Sequence, residues 1–379
     1  MITSDRFRTC FFDYGKDFNG KHFFGFDKFG YLYNNQKITL PGWILSYNNY
    51  PLVAYLEVLQ DGICIHKQDI NFVSSPDVQK AFPSEKNTEN CRFSIAVDLN
   101  LLDKGDYVLR LVIIDGDNTK QKLWDIALIH DTETILPIFV VGSPRAGTTA
   151  IGNAIRVSLK AKNYGEHHFL LLANNLNNTV KDYFTNYHTR NDKGTFINDI
   201  SPALVIGKIT QQIKAIYGSW HTGSYFVDKT PGRNMLNSLP VIQILWPEAK
   251  FIFCKRRAYE NIRSRLVKFP HLDVKEHANQ WVEVMQSWEE VKKMINKDNY
   301  IEIDQVNTSD PNVMSQFKEW WGESVANNIA SYLSKERPQT SNYTHDKSSE
   351  NDINKAIYEL CGNEMKRFGY SVKLDEYFS

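Results

Sequence analysis

The 379-residue chain predicts an antiparallel β-sandwich over residues 1–133 followed by a parallel-sheet α/β domain over residues 134–379. Three observations carry this expectation. From about residue 40 to 130, short β-type runs alternate with the turn clusters QDG, DKGD and DGDN, with no helical pattern between them, which is the spacing of a sandwich. After Pro137, apolar strand-like runs are followed by segments whose apolar residues recur at intervals of three and four, the signature of a parallel sheet with crossover helices. One of these strand-to-helix junctions, IFVV followed by GSPRAGTT, carries glycines at the spacing of a phosphate-binding loop.

The bulk numbers bound what such a chain can do. At 42% hydrophobic and 23% charged the composition is that of an ordinary globular protein. Lysine plus arginine equals aspartate plus glutamate, at 44 each, so no global field draws in nucleic acid, anionic membrane or an acidic polymer, and any anion site must be local. Charges interrupt the N-terminal aromatics every few residues, which disfavours a signal peptide, and no run approaches the roughly 18 apolar residues of a membrane span. A soluble, cytoplasmic protein is expected. The five cysteines are scattered and form no CxxC, as suits reduced thiols, with a Cys64–Cys91 pair as the minor alternative. The N-x-S/T matches at Asn177, Asn307 and Asn342 carry no meaning without a secretory route.

In chain order, GWILSY, LVAYLEVLQDGICIHKQDI, CRFSIAVDLNLL, DKGDYVLRLVIIDGDNTK and LWDIALI supply the sandwich strands. Trp43, Tyr47 and Tyr50 have the spacing of core aromatics; the alternative is a platform for a sugar face. Three strand-loop-helix units follow the polar stretch HDTET. In the first, Gly142 and Gly147 let the backbone turn tightly, Thr148 and Thr149 open a helix, and Ile151, Ala154, Ile155 and Leu159 form its apolar stripe. Amides at the positive end of a helix bind a phosphate. In the second, Lys229 ends the short aromatic strand SYFVDK and Pro231 opens the next helix; in the third, Arg256 follows the strand FIFC and Ser264 lies eight residues further on, in a helix that buries Ile262 and Leu266. Ligands of open α/β sheets bind beyond the carboxyl ends of the strands, so the three loops should face one crevice.

These motifs resemble the sulfotransferases that use 3′-phosphoadenylyl sulfate (PAPS) and release adenosine 3′,5′-bisphosphate (PAP). The resemblance covers residues 137 to 270 well and the C-terminal hundred loosely. It implies a P-loop sulfotransferase fold. It also implies that the loop Gly142, Ser143, Pro144, Arg145, Ala146, Gly147, Thr148 and Thr149 holds the 5′-phosphosulfate, with Arg145 and the two hydroxyls in contact, and that Arg256 and Ser264 hold the 3′-phosphate. DKTP is similar to the catalytic-lysine segment of the tyrosylprotein and heparan types, which implies that role for Lys229. GEHHF is similar to their base segment and points to Glu166, with His168 and then His167 as alternatives. The opposing reading of that segment makes Glu166 and His167 a solvated turn and His168 a core histidine. Arg257 and Ala258 depart from the family pattern of an acidic residue and a proline.

Thr148 stands where a nucleotide triphosphatase carries its P-loop lysine, and no acidic magnesium ligand ends a strand convincingly. A sulfuryl group leaving from a single phosphate carries less charge than a phosphoryl group held by magnesium, so fewer cations suffice. No metal is expected, adjacent histidines on one turn being unable to share a zinc ion without an HExxH frame. The competing readings are a nucleotide-dependent kinase or triphosphatase and a glycan-binding protein with a decayed nucleotide domain. Tyr183, Phe184, Tyr187 and Arg190 are candidates for an acceptor lid or a surface helix, and Lys335, Arg337 and Thr340 for a loop over the nucleotide or a solvated turn. The segment PDVQKAFP and its strand pattern resemble accessory sandwich domains beside bacterial glycan-modifying enzymes, which favours a carbohydrate hydroxyl as acceptor.

Overall fold

The β-type runs of the first third of the chain form two antiparallel sheets. In the computed structural model, residues 6–13, 22–25, 32–34, 37–46, 53–83, 88–99, 102, 105–114, 120–131, 135–162, 165–188, 195–220, 223–335 and 347–374 are described. They fall into two units, Met1–Glu133 with Asn175–Ile216, and Thr134–Asn174 with Tyr217–Ser379.

The first unit contains β1 (Arg6–Asp13), β2 (His22–Gly25), β3 (Leu32–Asn34), β4 (Lys37–Ser46), β5 (Val53–Gln60), β6 (Ile63–Asp69), β7 (Val73–Ser74), α1 (Pro76–Ala81), β8 (Asn90–Asp98), β9 (Tyr107–Ile114) and β10 (Lys120–Asp131). One sheet runs β1-β10-β9-β5-β6; the other runs β2-β4-β8-β7, with β3 paired to β4. Alternation along β8 buries Cys91, Phe93, Ile95 and Val97, as the two-residue period of a strand requires. Phe93 and Ile95 share one core cluster with Leu40 and Ile44 of β4, Leu56 of β5, Leu109 and Leu111 of β9, and Trp124 and Ile126 of β10, so side chains from both sheets build the interior of a sandwich. On the other face of β9, Arg110 donates to Asp125 at 2.8 and 2.9 Å from the opposite in-register position of β10. Trp43 packs on Phe82, ring centroids 5.4 Å apart, against Leu45, Val78 and Cys91, and thus fills a small satellite core; Tyr47 and Tyr50 lie outside the described residues. Cys64 is exposed and Cys91 buried, and both are free thiols.

Residues 175–216 join this unit. Within it, Lys122 Nζ donates to the Asn198 carbonyl at 2.5 Å and Lys208 pairs with Asp106. The helical period of this stretch is legible in the sequence, but a period names a buried face without naming what covers it.

The second unit is built on β11 (Leu136–Gly142). After it in the chain come α2 (Thr148–Leu159), then α3 (Leu170–His188), α4 (Phe196–Asp199) and α5 (Pro202–Trp220), which lie mostly in the first unit, then β12 (Tyr225–Lys229), α6 (Arg233–Leu245), β13 (Lys250–Lys255), α7 (Ala258–Lys268), α8 (Val274–Val291), β14 (Tyr300–Asp304), α9 (Pro311–Trp321), α10 (Glu323–Lys335) and α11 (Lys347–Arg367). The four strands pair in parallel in the order β12-β11-β13-β14. Both faces are covered, which is why the strands read as unbroken apolar runs. Ile138, Val140, Ile252 and Ile303 meet Ile151 and Ile155 of α2, Phe317 of α9 and Ile329 of α10 on one face. On the other, Phe139, Phe226, Phe251 and Trp246 form an aromatic layer, and Phe253 stacks on Trp288 of α8 at 4.5 Å. The helix expected to open at Pro231 starts at Arg233, because Gly232 takes a positive φ of 113° and donates its amide to the Gly142 carbonyl at 2.8 Å. Among the described residues no helix is long and apolar enough to cross a membrane.

Gly142 has φ 137°, and a Cβ built there would lie 2.1 Å from the Cys254 carbonyl oxygen of the neighbouring strand. Gly142→Ala is therefore expected to lower stability by at least about 3 kcal/mol, read as a shifted midpoint in urea unfolding; an unchanged midpoint would mean that the two strand ends are not held this close.

Candidate active site

The carboxyl ends of the four parallel strands bring three loops to one edge of the sheet. The register sets Val140 beside Lys229, Gly142 beside Cys254 and Lys255 beside Asp304. From Gly142 the chain makes a tight loop, closed by the Ala146 amide donating to the Ser143 carbonyl at 3.1 Å, before Thr148 opens α2. Arg145 and Gly147 both take positive φ, 71° and 88°, and Gly147 lies against Gln305, whose Cγ is 3.2 Å from where a Cβ would stand. Thr148 is buried and Thr149 exposed at the first turn of α2, where unpaired amides and the helix dipole favour an anion.

Helix α7 locks this loop from the side. Asn261, fully buried, donates its side-chain amide to the Pro144 carbonyl at 3.0 Å and accepts from the Ser143 hydroxyl at 3.2 Å. Arg145 Nε donates to Ser264 Oγ at 3.0 Å, and Arg256 Nη1 donates to the Arg145 carbonyl at 3.1 Å, while the Arg256 carbonyl accepts from Trp281 Nε1. The expected 5′ and 3′ groups are thus in direct contact, and the Arg145 guanidinium rests on Ser264. Arg257 stands at the N-cap of α7, pairs with Glu260 and donates to the carbonyls of Lys373 and Leu374.

Lys229 and Glu166 meet at 2.7 Å. The Lys229 stem runs against α2 at Gly152, where an added Cβ would stand 3.2 Å from the lysine Cβ, so the ammonium group is carried beside the helix that begins at the phosphate loop. Glu166 also lies 3.3 Å from His168 Nε2, and His168 is 61% exposed at its side chain with φ 50°. The reading of His168 as the core histidine is therefore reversed. His167 is the buried one, stacked on Phe226 at 6.1 Å, with Nδ1 3.4 Å from the Tyr217 hydroxyl and 3.8 Å from Asp228. Consecutive residues on a turn point in opposite directions, and the aromatic neighbours Tyr217 and Phe226 draw in the first of the two. The His167 amide donates to Thr230 Oγ1 at 3.2 Å and Thr230 donates to Asp228 Oδ1 at 2.6 Å, so the segment carrying Glu166 is fastened to the strand end carrying Lys229.

Asn261, Arg265, Gln305 and the Asp228–Thr230 pair are site residues that the sequence reading missed. Asn261 and Arg265 flank Ser264 on the α7 surface turned to the loop, a spacing visible in the sequence once that surface is known. Tyr183 and Tyr187 lie on α3 with tilted rings 4.6 Å apart, Lys335 ends α10, and Arg190, Arg337 and Thr340 lie outside the described residues. Among the described residues no group of three or more His, Cys, Asp or Glu side chains is placed to hold a metal ion.

Burial lifts the Asp228 carboxyl from 3.8 to about 6, opposed by the Thr230 hydrogen bond, while burial and then His168 pull His167 down to about 4. A carboxyl with a raised folded pKa favours folding when neutral, and that advantage is lost as pH rises through about 6. Relative to the native protein, Asp228→Asn should gain stability between pH 4 and 6 and level off above, as urea midpoints at each pH will show. A difference that does not vary with pH would mean that Asp228 titrates as an ordinary carboxyl.

The model of the sulfotransferase family matches residues 137–307, the stretch that holds all three loops. No curated protein matches the chain. Among solved structures the chain is similar to the sulfotransferase STF9 from Mycobacterium avium, at 14% identity over 64% of this chain and 79% of that one, with a TM-score of 0.35. It is also similar to the sulfotransferase domain from the curacin biosynthetic pathway, at 15% identity over 61% and 98% with a TM-score of 0.36, and to the sulfotransferase domain of the Synechococcus PCC 7002 olefin synthase, at 15% over 64% and 86% with a TM-score of 0.30. The loop, the lysine strand and α7 all lie inside residues 137–307, the stretch that the sulfotransferase family model matches.

Proposed function

We propose that the protein moves a sulfuryl group from PAPS to an acceptor hydroxyl, with a carbohydrate as the favoured acceptor class. The observation that carries this reading is the placing of two kinds of chemistry on one sheet edge: a loop and α7 rich in guanidinium, hydroxyl and amide donors, and the Glu166–Lys229 pair at 2.7 Å. The donor set fits a nucleotide with two anionic ends. Glycine-turned amides and two threonines suit a 5′-phosphosulfate, and Arg256 with Ser264 suits a 3′-phosphate. Arg145 lies where it can serve both ends, since a modest turn of its side chain releases Ser264.

In this reading the acceptor oxygen bonds to sulfur as the sulfur–oxygen bond to the 5′-phosphate breaks; Lys229 donates to the bridging oxygen that leaves on PAP, and Glu166 accepts the proton of the attacking hydroxyl. The ion pair between them keeps Glu166 aimed until an acceptor enters; the proton then passes to its carboxylate while the ammonium group turns to the departing oxygen. His168, beside Glu166 and open to solvent, is the second candidate for base. The sulfuryl group itself supplies the electrophile, and nothing in the proposed step calls for a bound metal. We assign the domain division at 133/134, with residues 134–379 as the catalytic part and the sandwich as an accessory domain.

PAP at a hundred times its dissociation constant should stabilise the protein by about 2.7 kcal/mol, a clear thermal shift, whereas ATP with magnesium should give a smaller one. The reverse order would favour a kinase or triphosphatase. Lys229→Ala, Arg145→Ala and Glu166→Gln are each expected to cut turnover by about 10² or more in folded protein. Normal turnover in any of them removes that residue from the mechanism, and a loss in His168→Asn without one in Glu166→Gln moves the base to His168.

A further inference from the structure

A cation behind the phosphate loop is not used by the chemistry above. Arg265 follows Ser264 on α7 and is 3% exposed. Its guanidinium has partners on three sides, all of them neutral: Nη1 donates to the Ser143 hydroxyl at 3.4 Å, Nε to His277 Nδ1 at 3.2 Å, and Nη2 to the Gln280 side-chain carbonyl. His277 is fully buried, and because its Nδ1 accepts from Arg265, its proton sits on Nε2, which donates to the Phe269 carbonyl at 3.2 Å. Burial and the Arg265 charge both hold the His277 pKa below its ordinary range, so the imidazole is neutral. Burial lowers the Arg265 pKa to about 10, which leaves it charged at neutral pH.

The other buried arginines are treated differently. Arg257 is paired with Glu260, and Arg110 with Asp125. Among the described residues, no carboxylate lies within ion-pair distance of Arg265. Burying an unpaired charge is costly, and a fold that keeps one against the first residue of an anion-binding loop leaves that charge for a ligand to neutralise.

We infer that Arg265 is a positioning residue for the nucleotide's 5′-phosphate, fixing Ser143 at the start of the loop and lending the loop a buried positive charge. This rests on the reading of the loop as the donor 5′-phosphate site. The role differs from that of Arg145 and Arg256: Arg265 acts through Ser143 and through its field, without touching the ligand.

Calorimetric titration of the full chain with PAP, AMP and adenosine 3′-monophosphate tests it. R265Q keeps hydrogen-bonding capacity and loses the charge, so it should bind PAP and AMP about tenfold more weakly, with a shallower dependence on salt, and bind adenosine 3′-monophosphate nearly as the native protein does. R265K, which keeps the charge, should recover most of the affinity for PAP and AMP. Native-like PAP binding by R265Q, or a loss confined to adenosine 3′-monophosphate, would overturn the inference while leaving the sulfotransferase reading intact. Failure of the native protein to bind PAP would remove both. Should R265Q not fold, R265K decides: native-like PAP and AMP affinity supports the role of charge, and a tenfold loss overturns it.

Discussion

The close approach of β11 to β13 at Gly142 is the constraint on which the site depends. With the Cys254 carbonyl 2.1 Å from the place of a Cβ, only glycine lets the two strands end side by side. That alignment brings the loop after β11 against the helix after β13, so Asn261 can hold Ser143 and Pro144 while Ser264 receives Arg145. The same glycine carbonyl accepts from Gly232, which brings in the third loop and sets Lys229 beside α2. One missing side chain thus gathers all three loops, and the geometry of the candidate site follows from backbone packing rather than from the charged residues.

Charge is then distributed by burial. Where a cation is structural it is paired: Arg110 with Asp125 in the sandwich, Arg257 with Glu260 at the start of α7. Behind the loop the Arg265 guanidinium instead faces hydroxyl, imidazole and amide partners, an arrangement that leaves a positive charge beside the candidate anion site. The chain as a whole is neutral, with 44 basic and 44 acidic residues, so an anion site on it has to be built locally. Lys229 is paired to Glu166, and that pairing suits two groups whose proposed tasks begin only when an acceptor separates them.

Much of this was legible in the sequence. Parallel strands buried on both faces leave unbroken apolar runs, and the glycines of GSPRAGTT, the DKTP lysine and the Arg256–Ser264 spacing are local patterns that survive without a partner in view. What the sequence hid are properties of surfaces meeting. The helices within 175–216 show which face is apolar but not that they belong with the sandwich residues. Of two adjacent histidines, only the aromatic layer of Tyr217 and Phe226 decides that His167 turns inward and His168 outward. Asn261 and Arg265 look like ordinary polar positions on an amphipathic helix until the loop is seen lying against them, and Arg265, buried beside Ser264 with no carboxylate at ion-pair distance among the described residues, breaks the usual pattern of a solvated or paired arginine.

The account stands on a single pocket in which the loop of residues 142–149 and the Arg256–Ser264 pair grip opposite ends of one nucleotide. A crystal structure of the protein bound to PAP tests this most directly. The account predicts the 5′-phosphate on the loop amides with Thr148 and Thr149, the 3′-phosphate on Arg256 and Ser264, and Arg145 turned from Ser264 toward the ligand. A nucleotide bound elsewhere, or one whose 3′-phosphate leaves Arg256 and Ser264 untouched, would contradict it.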